Sequence, residues 1–590
     1  MQKPLTASRT TTPWRSAEIV SLLTLAALFL LVLYSYQVRL PGAFVFGDQT
    51  EYAGMVQSLL SGQHMRGYQQ YGPLYPAIIA LLQSALPNLS MFRAGLSINL
   101  VVSLAALLPF YRLCRALFMP GWMTMLCALT LVLAPFWAFS TVTWADPLFY
   151  TLFFFSLYGA FDIAPEDGWH RYLLLGILLG LMFLAKPIGL FYVVAMLMSL
   201  VIARRGWSDG KNLAQVLTVA AGSALCILPW IYRNIEIEHT SALGYSYVGT
   251  MFKEMLETAG WAKMIGLFLA AVGFHLAYIS FSALGAATII PAMTLQHWRA
   301  LSLRERVLIC YIVSSLAAIT GISAVHMFVN PYLGYWMPNG RYLTQYVPPL
   351  LLLAAVLWRK TVQAQTHIPT AWGVLSCILT AAIVYLFSPL ESMATFSIFN
   401  NPEIAPYSLL LDGKDIVWRG HFAPTEWQRL IPTMATLLLC VSFFFLRRWR
   451  GVVMGCIVLS ILYLGVTSWH QSRLIRMMAW TQKPVNEFFR QDAQEKKQID
   501  LCMPEGLYFD VSLQNRNIDF IRGFWCPTSV TRFVTPEEAC QEQASQSPST
   551  IVSNQGPLFV TATGTREPHG KSFPYDNHDF SISHLSCTEQ

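Results

Sequence analysis

The chain has 590 residues, of which 55% are hydrophobic and 12% charged. A soluble globular protein carries about 25% charged residues, so half that share, with repeated apolar runs of about 18 residues, describes a polytopic membrane protein. The net charge of +7 is spread along short loops, and without a clustered basic face nucleic-acid binding is excluded as a function class.

The first apolar run covers residues 19–36, after Lys3, Arg9 and Arg15. It is long for a secretory signal and no small-x-small cleavage site follows it, so an uncleaved first span is expected, with residues 1–18 cytoplasmic. Further runs lie near 91–111, 121–139, 147–163, 172–185, 188–203, 213–232, 264–290, 307–327, 342–358, 371–387, 431–446 and 451–469. That makes about thirteen transmembrane helices within a membrane domain over 19–470. Every second loop is basic: Arg112 and Arg115, Arg171, Arg204 to Lys211, Arg299 to Arg306, Arg359 and Lys360, Arg447 to Arg450. The positive-inside rule makes that side cytoplasmic. The opposite loops, 37–90, 233–263, 328–341 and 388–430, are longer and aromatic. An odd number of spans places the C-terminus outside.

Two stretches need arbitration. Residues 172–203 are apolar apart from Lys186-Pro187. As one helix they would measure about 48 Å, against an apolar core of about 30 Å. Two short spans hinged at Lys186-Pro187 keep Arg171 and Arg204 on one side and leave Lys186 just below the outer surface. A cation there either snorkels to the interface or meets an anion. In the first outer loop, residues 50–61 read as an amphipathic helix with Tyr52, Met55, Val56, Leu59 and Leu60 on one side. A second apolar segment, 77–86, follows Tyr71-Gly-Pro-Leu-Tyr-Pro76 and is too short to span, so both elements are expected to lie in the interface.

From about residue 481 the chain turns polar, with short β-like runs at 551–553 and 558–561. A small C-terminal extracytoplasmic domain, α/β or mostly β, is expected over 481–590. Four of the eleven cysteines lie there, Cys502, Cys526, Cys540 and Cys587, enough for two disulfides in three connectivities. The other seven sit in or beside apolar runs and read as small buried hydrophobes. There is no Walker loop, GxGxxG, GxSxG or HExxH pattern, so a cytoplasmic nucleotide site has no support.

The candidate site lies along the outer boundary. Asp48 follows the first span; Asp48-x-x-Glu51 has capping-box spacing, yet a capping carboxylate can also serve as a general base. Asp146, in Thr143-Trp-Ala-Asp-Pro147, sits in a short outer turn near the same level, either as a helix cap or as a partner that tunes Asp48. Lys186, Arg233 and Arg341 fall at the same boundary, as interface anchors or as a clamp on a lipid phosphate. His275 and His326 lie within helical runs and read as packing residues.

Taken in order, Asp48 with Glu51-Tyr52, Gly72-Pro-Leu-Tyr-Pro76, Trp144-Ala-Asp146-Pro147, the run from Gly176 to Lys186-Pro187, Pro229-Trp-Ile-Tyr-Arg233-Asn234, and Arg341-Tyr342 resemble the GT-C glycosyltransferases. The likeness is nearest to the polyprenyl-phosphate-sugar-dependent group, which includes protein O-mannosyltransferases and aminoarabinose transferases of lipid A. It covers most of residues 19–358; its motifs are short, and their order carries it. The resemblance implies an all-α GT-C membrane domain and an enzyme: an inverting hexosyl- or pentosyltransferase moving a sugar from a polyprenyl-phosphate carrier to a hydroxyl acceptor at the outer face. It implies that Asp48 is the catalytic base, with Asp146 in support. The family often has two adjacent acids in the first loop, whereas Gln49 follows Asp48 here and the next acid is Glu51. That leaves open which of Asp48 and Glu51 does the work, and weakens a metal reading, since divalent ions prefer several carboxylates. No cofactor or metal ligand set is expected, and a divalent ion is left open. Lys186, Arg233 and Arg341 would bind the donor phosphate, and Tyr71 and Tyr75 would stack on the sugar. The expected partners are the lipid-linked donor, a hydroxyl acceptor and membrane lipids, in a bacterial inner membrane. The rival classes are a lipid-linked sugar flippase, for which midplane polar sites and repeats are missing, and a polysaccharide ligase.

Overall fold

The computed structural model describes residues 16–38, 40, 48–62, 71–117, 121–203, 210–238, 246–283, 285–329, 340–363, 370–388, 425–445 and 450–481, with four short strands beyond. In chain order the helices are α1 (Ser16–Gln37), α2 (Asp48–Leu60), α3 (Leu74–Ala85), α4 (Met91–Leu117), α5 (Trp122–Val132), α6 (Asp146–Asp162), α7 (Trp169–Ala185), α8 (Leu190–Ala203), α9 (Gly210–Glu238), α10 (Ser246–Ser282), α11 (Ala286–His297), α12 (Leu303–Val329), α13 (Val347–Gln363), α14 (Thr370–Leu386), α15 (Glu426–Phe445) and α16 (Arg450–Thr481). Short 3-10 turns cover Pro135–Thr141, Pro187–Gly189, Gly340–Tyr342 and Thr344–Tyr346.

Among the described residues, five helices are long and apolar enough to cross a membrane: Ser16–Gln37, Met91–Leu117, Gly210–Glu236, Gly260–Ser282 and Leu303–Val325. Trp122–Val132 with Pro135–Thr141, bent by 45°, makes a sixth if the pair is one span. The thirteen spans read from the sequence go beyond these; α7 and the run Pro187–Ala203 are shorter apolar helices. Together these features make the chain a membrane-embedded protein. The expected span 264–290 is divided: α10 ends at Ser282 and α11 begins at Ala286, and Gly285 adopts φ 78°, a left-handed conformation that glycine reaches without a Cβ penalty.

The site end of the molecule is organised by irregular segments. Pro187 disfavours helical geometry in the residue before it; Lys186 is extended (φ −149°, ψ 131°) and α7 stops at Ala185. Residues 135–141 are tied down from two helices. Asn99 of α4 donates to the Val142 carbonyl at 2.7 Å, and Gln37 at the end of α1 donates to Ser140 at 3.2 Å. Those bonds fix the entry to α6. In α2, Tyr52, Ala53, Met55 and Val56 are buried and pack towards α3, while Leu59 and Leu60 are exposed, so the apolar side ends one turn earlier than its pattern suggests. Gly72, ahead of α3, lies against the end of α7. A Cβ there would collide with the Leu184 carbonyl oxygen and come within 2.7 Å of the Ala185 oxygen. This close approach brings the Tyr71–Tyr75 segment beside Lys186.

At the far ends of these helices, Glu18 pairs with Arg115 at 3.0 Å and Glu305 with Lys360 at 3.0 Å. Beyond α16, strands β1 (Leu507–Asp510), β2 (Phe533–Val534), β3 (Leu558–Thr563) and β4 (Asp579–His584) form one sheet in the order β2-β1-β3-β4. β1 runs parallel to β2 and β3, and β3 pairs antiparallel with β4. Apart from these strands, the expected domain over 481–590 lies almost wholly outside the described residues. Cys502, Cys526, Cys540 and Cys587 lie outside the described residues.

Candidate functional site

Four charged side chains meet at this end in two ion pairs. Lys186 Nζ lies 2.7 Å from Asp146 Oδ2, with the aspartate side chain wholly buried and the lysine 7% exposed. Arg341 Nη2 lies 3.3 Å from Asp48 Oδ2, the two side chains 16% and 25% exposed. Tyr342 joins the pairs: Lys186 Nζ sits 5.1 Å from its ring centroid, and the Arg341 guanidinium 5.0 Å from it. Arg341 also donates to the Tyr342 hydroxyl at 3.1 Å and lies 5.0 Å from the Trp144 ring. Cations over aromatic faces gain from the ring quadrupole, more so where water is excluded. The Tyr150 hydroxyl donates to the Arg341 carbonyl at 2.7 Å, with Asp146 Oδ1 3.3 Å away. Arg341 Nε is a buried donor with no acceptor among the described residues.

Local structure explains these positions. Asp146 is the first residue of α6, with Pro147 beside it in the first turn, where a fixed φ is favourable. Its carboxylate is used by Lys186 and Tyr150 instead of acting only as a helix cap. Lys186 is buried and paired, so the snorkelling alternative does not describe it. Asp48 opens α2, where the helix dipole favours an acid. Glu51 follows in the same turn, half-buried. Burial, and then the Asp48 carboxylate, push its carboxyl group above the ordinary value of 4.5.

The remaining expected residues divide. Arg233 is near the end of α9; its guanidinium lies 4.8 Å from the Trp230 ring and donates to Asn234 at 2.9 Å, both on its own helix. Tyr71 is partly exposed and meets Tyr52 edge-on at 5.5 Å. Tyr75 is wholly buried, edge-on to Tyr52 at 5.6 Å, so its ring has no open face for a sugar in this structure. His275 is buried, its Nδ1 2.7 Å from the Ala271 carbonyl oxygen of its own helix; the His326 side chain lies outside what is described. Trp144 and Tyr342 stand in the quoted motifs without an assigned contact, and Tyr150 is a site residue that motif reading did not name. Their signal was adjacency to Asp146 and Arg341, and one helical turn in the case of Tyr150. Among the described residues, no group of three or more His, Cys, Asp and Glu could hold a metal ion.

Solved structures share this architecture. The apo aminoarabinose transferase ArnT from Cupriavidus metallidurans matches over 93% of this chain and 94% of its own, with TM-score 0.50 and 14% identity. The chain has the GT-C fold. The same ArnT bound to undecaprenyl phosphate matches over 93% and 94%, with TM-score 0.48 and 14% identity. The archaeal oligosaccharyltransferase AglB from Archaeoglobus fulgidus, in complex with an inhibitory peptide and a dolichol-phosphate, is a looser match, covering 72% of this chain and 64% of that one with TM-score 0.37 and 13% identity. No protein-family model matches the sequence, and no curated protein matches it.

Proposed function

We propose that the chain is an inverting glycosyltransferase that takes a sugar from a polyprenyl-phosphate carrier and gives it to a hydroxyl acceptor at the outer face of a bacterial inner membrane. The observation that carries this reading is the meeting of Asp48, Asp146, Lys186 and Arg341 around Tyr342. Such a cluster can hold an anionic phosphate beside a carboxylate, and the buried Arg341 Nε has no acceptor among the described residues. The undecaprenyl phosphate in the ArnT structure suggests the type of carrier.

In this mechanism a carboxylate from the first turn of α2, Asp48 or Glu51, takes the proton of the acceptor hydroxyl. The oxygen attacks the anomeric carbon on the face opposite the phosphate. The leaving group is stable as an anion, so no general acid is required, unlike the hydrolysis of an ordinary glycoside by two carboxyl groups. Lys186 and Arg341 offset charge gathering on the leaving phosphate, Arg233 adds a cation at the same boundary, and Tyr71 offers a ring to the sugar. The positive-inside pattern supports a cytoplasmic N-terminus.

The test incubates the protein, in native lipid, with undecaprenyl-phosphate-linked sugars and resolves the carriers by thin-layer chromatography. Release of free undecaprenyl phosphate supports transfer. Consumption of diphosphate-linked donors alone would mark a ligase, and passage of intact donor across the bilayer a flippase; either outcome overturns the reading.

A further inference from the structure

We propose that Glu51 receives the proton of the acceptor hydroxyl, and that Asp48 serves to hold Arg341 in place. This rests on the transfer reaction proposed above and assigns its base.

The three acids of the site are not equivalent. Asp146 is wholly buried, with one oxygen on Lys186 and the other facing Tyr150. Asp48 Oδ2 accepts a hydrogen bond from Arg341 Nη2 at 3.3 Å. A carboxylate held by a cation is a weaker base, because protonation gives up the pair. Glu51 makes no hydrogen bond or ion pair with the described residues. It stands three residues after Asp48, and positions three apart share a helix face. It is half-buried, so a substrate hydroxyl can reach it, whereas Asp146 is closed to approach. The titratable groups around this turn are Asp48 on the same helix, Tyr52, Tyr71 and Tyr75 at the α2–α3 contact, and Arg341 and Tyr342 of the 340–342 turn. Of these, the Asp48 charge acts on Glu51, in the same direction as burial. Both favour a protonated carboxyl, which moves its proton affinity towards the working pH, as a general base requires.

The step balances. The acceptor O–H bond breaks, its proton passes to a Glu51 oxygen, and the hydroxyl oxygen bonds to the anomeric carbon. The bond from that carbon to the phosphate oxygen breaks, with its electron pair leaving on the lipid phosphate. Glu51 later yields its proton to water.

The experiment compares the parent with Glu51→Gln, Glu51→Asp and Asp48→Asn. Each is assayed for release of undecaprenyl phosphate from undecaprenyl-phosphate-linked sugars between pH 5 and 9. Thermal melting and undecaprenyl phosphate binding are measured on the same preparations. The expected result is a fall in kcat of about 100-fold or more in Glu51→Gln, loss of the acidic limb of the rate profile, and lipid binding no weaker than the parent's. Glu51→Asp should retain part of the rate, with the limb moved to lower pH. Asp48→Asn should lose rate but keep the limb, moved to lower pH because the Asp48 charge no longer raises the Glu51 proton affinity. Retention of both rate and limb in Glu51→Gln, with loss of the limb in Asp48→Asn, overturns the assignment and leaves the transfer reading standing. Failure of the parent to release the carrier from any donor overturns both.

Discussion

Breaking the Lys186–Asp146 pair should cost more than deleting it. Both side chains are out of solvent, and the charges lie 2.7 Å apart. At an effective dielectric of about 20 their attraction is about 6 kcal/mol, set against a desolvation cost of several kcal/mol for each ion. The net contribution is therefore small, but either partner left alone keeps its penalty and loses its compensation. Lys186→Met and Asp146→Asn should each destabilise the folded protein by about 3–5 kcal/mol. The double variant, with no charge left to strand, should fall within about 2 kcal/mol of the parent. The double-mutant cycle then gives a coupling of at least about 3 kcal/mol. Equilibrium unfolding by detergent titration in mixed micelles measures all four proteins. A coupling below about 0.5 kcal/mol would mean that the two charges are independently solvated, and the site would not be the dry cluster described.

Arg341→Lys loses the planar fork that spans Asp48, the Tyr342 hydroxyl and the Trp144 face; kcat/KM for a lipid-linked donor should drop about tenfold or more, with the helical circular dichroism signal unchanged. Gly72→Ala places a methyl group against the Leu184 and Ala185 carbonyls, which belong to a packed helix end. It should destabilise by about 1–3 kcal/mol, and an unchanged melting temperature would count against that contact. Glu51 carries a raised pKa in the folded state, so the folded form binds more protons than the unfolded one above the ordinary value of 4.5. Stability from this group is present below that value and is lost as pH rises through the folded-state pKa. Glu51→Gln should therefore melt higher than the parent at pH 8 and no higher at pH 4.

Much of the frame was legible because membrane insertion writes itself into composition. Apolar length places α1, α4, α9 and α12, and the Lys186-Pro187 interruption predicted the α7–α8 break, since proline acts locally on its neighbour. The partner of Lys186 was less legible. Asp146 is 40 residues away, and the pairing depends on how the hairpin of α6 and α7 closes. The Asp48–Arg341 contact spans 293 residues and has no local signature at all. Aromatic residues were harder still: in an apolar chain rich in tyrosine, nothing in the pattern separates Tyr342, which joins both ion pairs, from Tyr75, which is sealed in the core. The α10–α11 break was missed because residues 264–290 are continuously apolar, and a single Gly285 is a weak interruption until its positive φ is seen.

The four charges share a feature that bears on why the site holds together in apolar surroundings. None lies within the body of a helix. Asp48 and Asp146 are the first residues of α2 and α6, Lys186 directly follows the last residue of α7, and Arg341 sits in a 3-10 turn. The amino end of α6 carries a partial positive charge and the carboxyl end of α7 a partial negative one. An acid on the first and a lysine on the second are each stabilised by their own backbone before they meet each other. The salt bridge therefore joins two helix ends whose dipoles already favour it, which lowers the desolvation cost that makes buried pairs unprofitable elsewhere. Arg341 has no helix end to support it; it depends on Asp48, on the rings of Trp144 and Tyr342, and on the Tyr150 hydroxyl at its carbonyl. It is thus the cation whose position is least set by its own backbone, and under the transfer proposed above it is the one that a donor phosphate can most readily recruit.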